Sequence, residues 1–138
     1  MQNEEKKHNG VSREQTVGRR KTASARVRLV PGKGSIVVNG KGMKDYFPTA
    51  LLQQKIVAPL KTVGKEMFFD ISVKVAGGGT HGQADAVCHG IARALVAWNE
   101  EFKPALRVEG FLTRDSRSKE RKKPGRYKAR RGHQWRKR

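Results

Sequence analysis

Residues 114–138 set the strongest limit on what this chain can fold into. They hold 13 Lys/Arg against Asp115 and Glu120, a net +11 of the chain's +19. Such a segment has almost nothing apolar to bury, so it cannot offset its ordering entropy by joining a core. It is expected to be disordered in the free protein and to become ordered on a polyanion. Fully extended, it would span roughly 80 Å at about 3.3 Å per residue, several times the radius of a domain built from the rest. A tail that served solubility alone would mix both signs of charge. The foldable part of the chain must therefore lie before residue 114.

What remains is one small domain of about 95 residues. We divide the sequence into a lead-in over residues 1–15, a globular domain over 16–113 and a basic tail over 114–138. The lead-in mixes charges with Asn, Gln, His and Gly, shows no period and is expected to be disordered. Its lack of an apolar h-region argues against a secretory signal. With no run of about 18 apolar residues, a transmembrane helix is not expected. The pI of ≈ 10.9 directs attention to nucleic acid. A membrane surface fits less well, because the tail has no apolar face to enter a bilayer. The single cysteine, Cys88, rules out an internal disulfide and agrees with a reducing compartment.

Within the domain, Ala23, Ala25, Val27 and Leu29 alternate with Ser24, Arg26 and Arg28, the period of a half-buried strand whose outer face is basic. Gly18-Arg19-Arg20-Lys21 precedes it. Such a triplet alone reads as solvated surface; beside the tail it reads as a binding group. Pro31-Gly32-Lys33-Gly34 reads as a turn, and Ile36, Val37 and Val38 as the returning arm of a hairpin ending at Asn39-Gly40. A helical turn is expected over residues 43–47, closed by Pro48. Thr49 should cap a helix with Leu52, Ile56 and Leu60 on one face, kinked or ended by Pro59. Phe69, Ile71, Val73 and Val75 form a second alternating strand. After Gly77-Gly78-Gly79 comes an amphipathic helix with Ala84, Val87, Cys88, Ile91, Leu95 and Trp98 on one stripe. On another face, Asp85 is placed to support His89 and Arg93 at four-residue intervals. Lys103-Pro104 opens a short last helix that Gly110 ends.

No catalytic, metal or cofactor site is expected. His8, His81, His89 and His133 are too scattered, with one cysteine, to form a zinc set. No G-x-S-x-G context supports a nucleophile. The triple glycine lacks both the P-loop and the dinucleotide patterns. Two readings of it stay open, a tight structural turn and a backbone contact to a nucleic-acid phosphate. In the tail, Tyr127 and Trp135 stand among cations, where an aromatic ring can stack on a base or ribose. Gly125 and Gly132 let the backbone approach phosphates, and Pro124 limits the freedom lost on binding.

A colinear set of segments then resembles one family closely. It comprises Gly18 to Val27, Ile36 to Gly40, Tyr46-Phe47-Pro48, Gly77 to Ala86, Gly90 to Leu95, Leu112 to Asp115, Glu120 to Lys123, Lys128 to Arg131 and terminal Lys137-Arg138. The chain resembles bacterial-type small-subunit ribosomal protein nine from about Val17 to its end. The resemblance implies an α+β domain of left-handed βαβ kind, a small mixed sheet with helices packed on it, and a long extended basic tail. It implies a place on rRNA in the head of the small subunit, beside neighbouring head proteins, with the tail tip at P-site tRNA. Trp135 stands where the family usually has Phe or Tyr, and Arg136 where it has Ser. Arg126-Tyr127 replaces a common Leu-Lys, and Gly132-His133 a common Ala-Pro.

The combined expectation is a non-enzymatic ribosomal protein of the cytoplasm or an organelle, without membrane or small-molecule partner. Its rRNA-binding residues are expected to be Arg19, Arg20, Lys21, Gly77, Gly78, Gly79, Arg114, Arg117, Arg121, Lys122, Lys123, Arg126, Tyr127, Lys128, Arg130, Arg131 and Trp135. Arg136, Lys137 and Arg138 are the tRNA-contact candidates. The competing readings are a free, non-specific nucleic-acid-binding protein and, far behind, a nucleotide-dependent enzyme.

Overall fold

The computed structural model describes residues 14–137, so the expected lead-in lies outside the described residues except for Glu14 and Gln15. Those two belong to the domain, since they open strand β1 (Glu14–Arg20). The chain reverses through Lys21 and Thr22 into β2 (Ala23–Pro31), pairing antiparallel from Glu14 opposite Leu29 to Arg20 opposite Ala23. Lys21 takes φ 53°, the left-handed backbone that so tight a reversal imposes.

The expected hairpin between β2 and residues 36–38 does not form. Strand β3 (Ile36–Val38) pairs in parallel with β5 (Phe69–Ala76), Ile36 opposite Ile71, while β2 occupies the other side of β5. Asp70 supplies the physical reason. Its Oδ1 accepts hydrogen bonds from the backbone N–H groups of Lys33 (2.9 Å), Gly34 (3.2 Å) and Ser35 (3.0 Å), which carry the chain across the end of β5. These bonds, Ser35 foremost, hold the Asp70 carboxyl below the ordinary carboxylate range. With the two-residue β4 (Lys41–Gly42), the sheet has five strands in the order β1-β2-β5-β3-β4.

Helices α1 (Met43–Tyr46) and α2 (Ala50–Thr62) lie between β4 and β5 in the chain. Thr49 stands at the start of α2 but its side chain accepts no capping hydrogen bond; Gln53 instead reaches back from its Nε2 to the Phe47 carbonyl at 2.7 Å. Pro59 does not end α2, which continues to Thr62. Its ring is buried, so packing offsets the hydrogen bond its missing N–H removes. Helix α3 (Thr80–Trp98) follows the glycines, and a 3-10 turn (Glu100–Phe102) leads into α4 (Lys103–Val108), ended at Gly110 with φ 78°.

One face of the sheet buries Ala23, Ala25, Val27 and Leu29 of β2 and Phe69, Ile71, Val73 and Val75 of β5, covered by α2 and α3. Helix α3 buries more than its expected stripe: Ala86, Gly90, Ala92 and Ala94 are also fully inside, because β1 and β2 pack on one side of it and α2 on another. The opposite face of the sheet, with Ser24, Arg26, Arg28, Ser72 and Lys74, is exposed.

Candidate nucleic-acid interface

The fold gathers the two candidate groups of the domain at one end of the sheet. A Cβ on Gly77, whose φ is 77°, would stand 2.5 Å from the Thr22 carbonyl oxygen, so the glycine loop lies directly on the β1–β2 turn. Gly78 takes φ 63° against Ala23, while Gly79 has ordinary backbone and open space around it. The loop is tied down by side chains. Gln83 Nε2 donates to the Gly77 carbonyl (3.0 Å) and its Oε1 accepts from the Tyr46 hydroxyl (2.8 Å). Tyr46 in turn accepts from Asn39 Nδ2, and Asn39 exchanges two 2.9 Å hydrogen bonds with the Val75 backbone. Gly77 and Gly78 are therefore required by the turn itself, and Gly79 is the one glycine of the three whose backbone is left open.

The Arg19-Arg20-Lys21 triplet splits three ways. Lys21 is exposed at the turn. Arg19 is exposed, and its backbone N–H donates to His89 Nδ1 at 3.4 Å. The Arg20 side chain is only 11% exposed. Its guanidinium sits 3.5 Å from Asp85 Oδ2 and 3.2 Å from Asp115 Oδ2, and donates to the Arg117 carbonyl at 2.7 Å. Asp85 also meets Lys55 at 2.5 Å. Asp115 holds Arg117 through both carboxylate oxygens, at 2.9–3.2 Å. The Arg117 hydrogen bond, with Arg20 nearby, holds the Asp115 carboxyl far below its ordinary range. The start of the basic segment is thus strapped to the hairpin and to α3, around a shallow cleft of ≈ 250 Å³. Asp85 serves this strap and does not support the cations four and eight residues later, as helical spacing suggested. Arg93 turns to the Val17 carbonyl instead. His89 Nε2 faces the Leu112 carbonyl at 3.3 Å, and burial lowers its pKa.

Residues 114–137 carry no helix or strand, yet they do not run straight. Arg126 N–H donates to the Lys123 carbonyl across Pro124 and Gly125, whose φ of 79° suits a type II turn. Glu120 binds Lys123 and, at 2.9 Å, Arg130. Arg126 donates to the Arg130 carbonyl (3.0 Å) and Tyr127 N–H to the Arg131 carbonyl (2.9 Å). The two carboxylates of the segment therefore shape its path, one at its base and one in its loop. Arg121 bonds the neighbouring Lys122 carbonyl, while the Lys122 and Lys128 side chains have no partner among the described residues. Tyr127 is exposed beside the His133 ring, and Trp135 is 86% exposed with the Arg136 guanidinium 4.7 Å from its ring centre. Arg114 lines a shallow groove with Arg19, His89 and Arg93. Lys137 is exposed, and Arg138 lies outside the described residues.

Arg26, Arg28 and Lys74 were absent from the expected binding set, although strand alternation marked the outer face as basic. Among the described residues no group of His, Cys, Asp and Glu could hold a metal. Cys88 is 7% exposed and its thiol is pushed up to about 12 by burial, so it is not a thiolate nucleophile.

The sequence profile of a family described as ribosomal protein S9/S16 matches residues 18–138, spanning the domain and the basic segment together. The chain belongs to the ribosomal protein S9/S16 family. It is 53% identical over 123 residues to the small ribosomal subunit protein uS9 of Anaeromyxobacter sp. (strain K), covering 89% of this chain and 95% of that one. It is 55% identical over 124 residues to the protein of the same name from Mycobacterium tuberculosis (strain ATCC 25618 / H37Rv), covering 90% and 82% of the two chains. The S9/S16 family is one of structural, non-enzymatic ribosomal proteins.

Proposed function

We propose that this chain is a structural component of the small ribosomal subunit in the cytoplasm. It binds rRNA through its basic segment and the adjoining end of the domain, beside neighbouring proteins of the subunit head, and its C-terminal tip contacts tRNA in the P site. The observation that carries the reading is the strongly basic segment of net +11 that continues, within a single family match, from a small domain with a strapped exit. Phosphate neutralisation and counterion release supply most of the affinity in such an arrangement, and the domain fixes position. Tyr127 and Trp135 add exposed rings for stacking.

The tip is separable from the rest. Eleven other cations of the segment remain to hold rRNA when Lys137 and Arg138 are deleted. Each lost phosphate contact costs about 1 kcal/mol at a partly solvated site. Small subunits carrying the deletion should assemble normally and bind P-site tRNA about tenfold more weakly, taking Arg136 as partial compensation. Filter binding of tRNA to purified subunits reads this directly. Undiminished affinity would overturn the tRNA role. Recovery of the unaltered chain only in the free fractions of a salt-washed sucrose gradient would overturn the ribosomal placement and favour a free nucleic-acid-binding protein.

A further inference from the structure

The face of the sheet turned away from the helices carries a second cluster of cations, apart from the basic segment. Register places Arg26 of β2 directly opposite Lys74 of β5, with Arg28, two residues along, opposite Ser72. All four residues are exposed. None of the Arg26, Arg28 and Lys74 side chains has an ion pair or hydrogen bond among the described residues. Directly opposed cross-strand residues lie about 4.5–5.5 Å apart at Cα, and like charges so placed repel. Lys, Arg and Glu are interchangeable on an ordinary solvated strand face, so folding alone would favour one carboxylate here. Asp70 is the acid nearest along β5, and its Oδ1 is engaged by three backbone N–H groups of the 33–35 turn.

We infer that this open face is a second RNA-binding surface, directed at the sugar–phosphate backbone of a duplex. The inference rests on the reading of the chain as an rRNA-binding protein and adds where the domain itself would grip. A sheet that reads single strands presents aromatic rings for bases to stack on. The described strands place none on this face, because Phe69 points into the core. What the face offers is Arg26, Arg28 and Lys74, with Arg19 at its edge opposite Ser24 and the hydroxyls of Ser24 and Ser72 beside them, a set suited to phosphate and 2′-OH oxygens. Double-stranded RNA is recognised through those groups and through its shape. The two RNA-facing surfaces are therefore chemically distinct: rings and cations in the segment after residue 113, cations and hydroxyls without rings on the sheet.

The test uses the full chain with Arg26→Gln, Arg28→Gln and Lys74→Gln combined, against a 20-base-pair RNA duplex and a single-stranded oligonucleotide of the same length. Affinities are measured by fluorescence anisotropy across a salt series. With about 0.9 counterions released per duplex phosphate contact, the log–log salt slope for the duplex should fall by about 2 to 3, and the single-strand slope should change by less than 1. The variant's melting temperature should equal or exceed that of the unaltered chain, since a repulsive pair is removed. A companion variant, Arg26→Lys with Arg28→Lys, keeps the charge and should keep the slope. An unchanged duplex slope in the Gln variant overturns the inference alone, as does a slope lost equally for both RNAs. An unaltered chain that binds neither RNA overturns the underlying rRNA reading. Normal RNA binding combined with failed entry into small subunits would assign the face to an acidic protein and overturn the inference as well.

Discussion

Gly18 and Gly90 meet where β1 crosses α3, backbone against backbone. A Cβ on Gly18 would overlap the Gly90 nitrogen and the Ala86 carbonyl and stand 2.9 Å from Gly90 Cα, and a Cβ on Gly90 would stand 2.5 Å from Val27 Cγ2. The same crossing is fastened by Thr16 Oγ1 donating to the Gly90 carbonyl at 2.7 Å and by Arg93 reaching the Val17 carbonyl, so the free edge of β1 is covered by α3. The two glycines are not equivalent. Gly90→Ala gains roughly 1 kcal/mol of helix propensity but sets its methyl against the buried Val27 side chain and 3.2 Å from the Gly18 nitrogen, so overpacking of about 1–3 kcal/mol leaves a net loss of about 0–2. Gly18→Ala meets only backbone and should cost about 3 kcal/mol or more. Urea denaturation of the two variants should rank them in that order. Adding Val27→Ala to Gly90→Ala should cost at least about 0.5 kcal/mol less than the sum of the single changes.

His89 links β1 to Leu112 after the last helix, and its titration should make stability pH-dependent. Its Nδ1 accepts from Arg19 N–H, so in the neutral ring Nε2–H is the donor to the Leu112 carbonyl. Burial is the main cause of its lowered pKa, followed by the opposing effect of Leu112 and the nearby Arg93 and Arg114 charges. A group whose folded pKa is depressed below its unfolded value of about 6.5 binds fewer protons when folded, so stability rises with pH in that window. Urea midpoints should therefore fall as pH drops from about 7 to about 5. His89→Gln keeps a donor and an acceptor without titrating, and it should flatten that part of the profile. An unaltered profile in the variant would assign the dependence to other groups.

Asp115 works in the opposite range. Arg117 is the largest cause of its depressed pKa, and Arg20 adds to it. Its contribution is present above the unfolded carboxyl value of about 3.9 and is lost only as pH falls through the much lower folded value. The Arg117 amide, which donates to Asp115 Oδ1 at 3.0 Å, reports on this directly. Its NMR shift should stay constant from pH 7 to about 4 and move only below. Asp115→Asn should move it at every pH and increase fast backbone motion over residues 115–118, while Asp85 retains Arg20.

The sequence disclosed those elements whose side chains repeat with a period. Alternation in β2 and β5 and the stripe of α3 found their elements because one face of each is buried. It did not disclose β1, because the residues on its core side, Thr16, Gly18 and Arg20, include no large apolar side chain, and its one apolar residue, Val17, lies opposite exposed Arg26. It misassigned the partner of β3, because a strand of three apolar residues has the same pattern against any neighbour and the choice is made by Asp70, thirty-odd residues away. The candidate interface was legible as composition, since net charge needs no fold to be counted. The division of labour within it was not. Arg20 and Arg19 are neighbours in sequence, but one is held between Asp85 and Asp115 and the other is exposed, and only the placement of α3 and of the segment after Thr113 decides which.

The triple glycine allows the structural and the RNA-contact readings to be tested one residue at a time. Gly77 and Gly78 take φ 77° and 63°, which L side chains adopt at a cost, and Gly77 is also blocked by the Thr22 carbonyl. Alanine at either should destabilise the domain by about 1–3 kcal/mol, with Gly77 the more severe. Gly79 has φ −100° and nothing within 4 Å of where a Cβ would stand. Gly79→Ala should therefore cost less than either, about 0.5–1 kcal/mol, the difference between glycine and alanine at the N-cap of α3. If the loop only turns the chain, that variant should also bind rRNA fragments normally. If a phosphate lies against the open backbone at the start of α3, the added methyl should weaken binding several-fold under conditions where both proteins are fully folded. We expect the second outcome, because the loop stands beside exposed Lys21 at the basic end of the sheet. Equal affinity for the variant and the unaltered chain, measured on the same fragment at the same salt, would make Gly79 a residue of the turn alone.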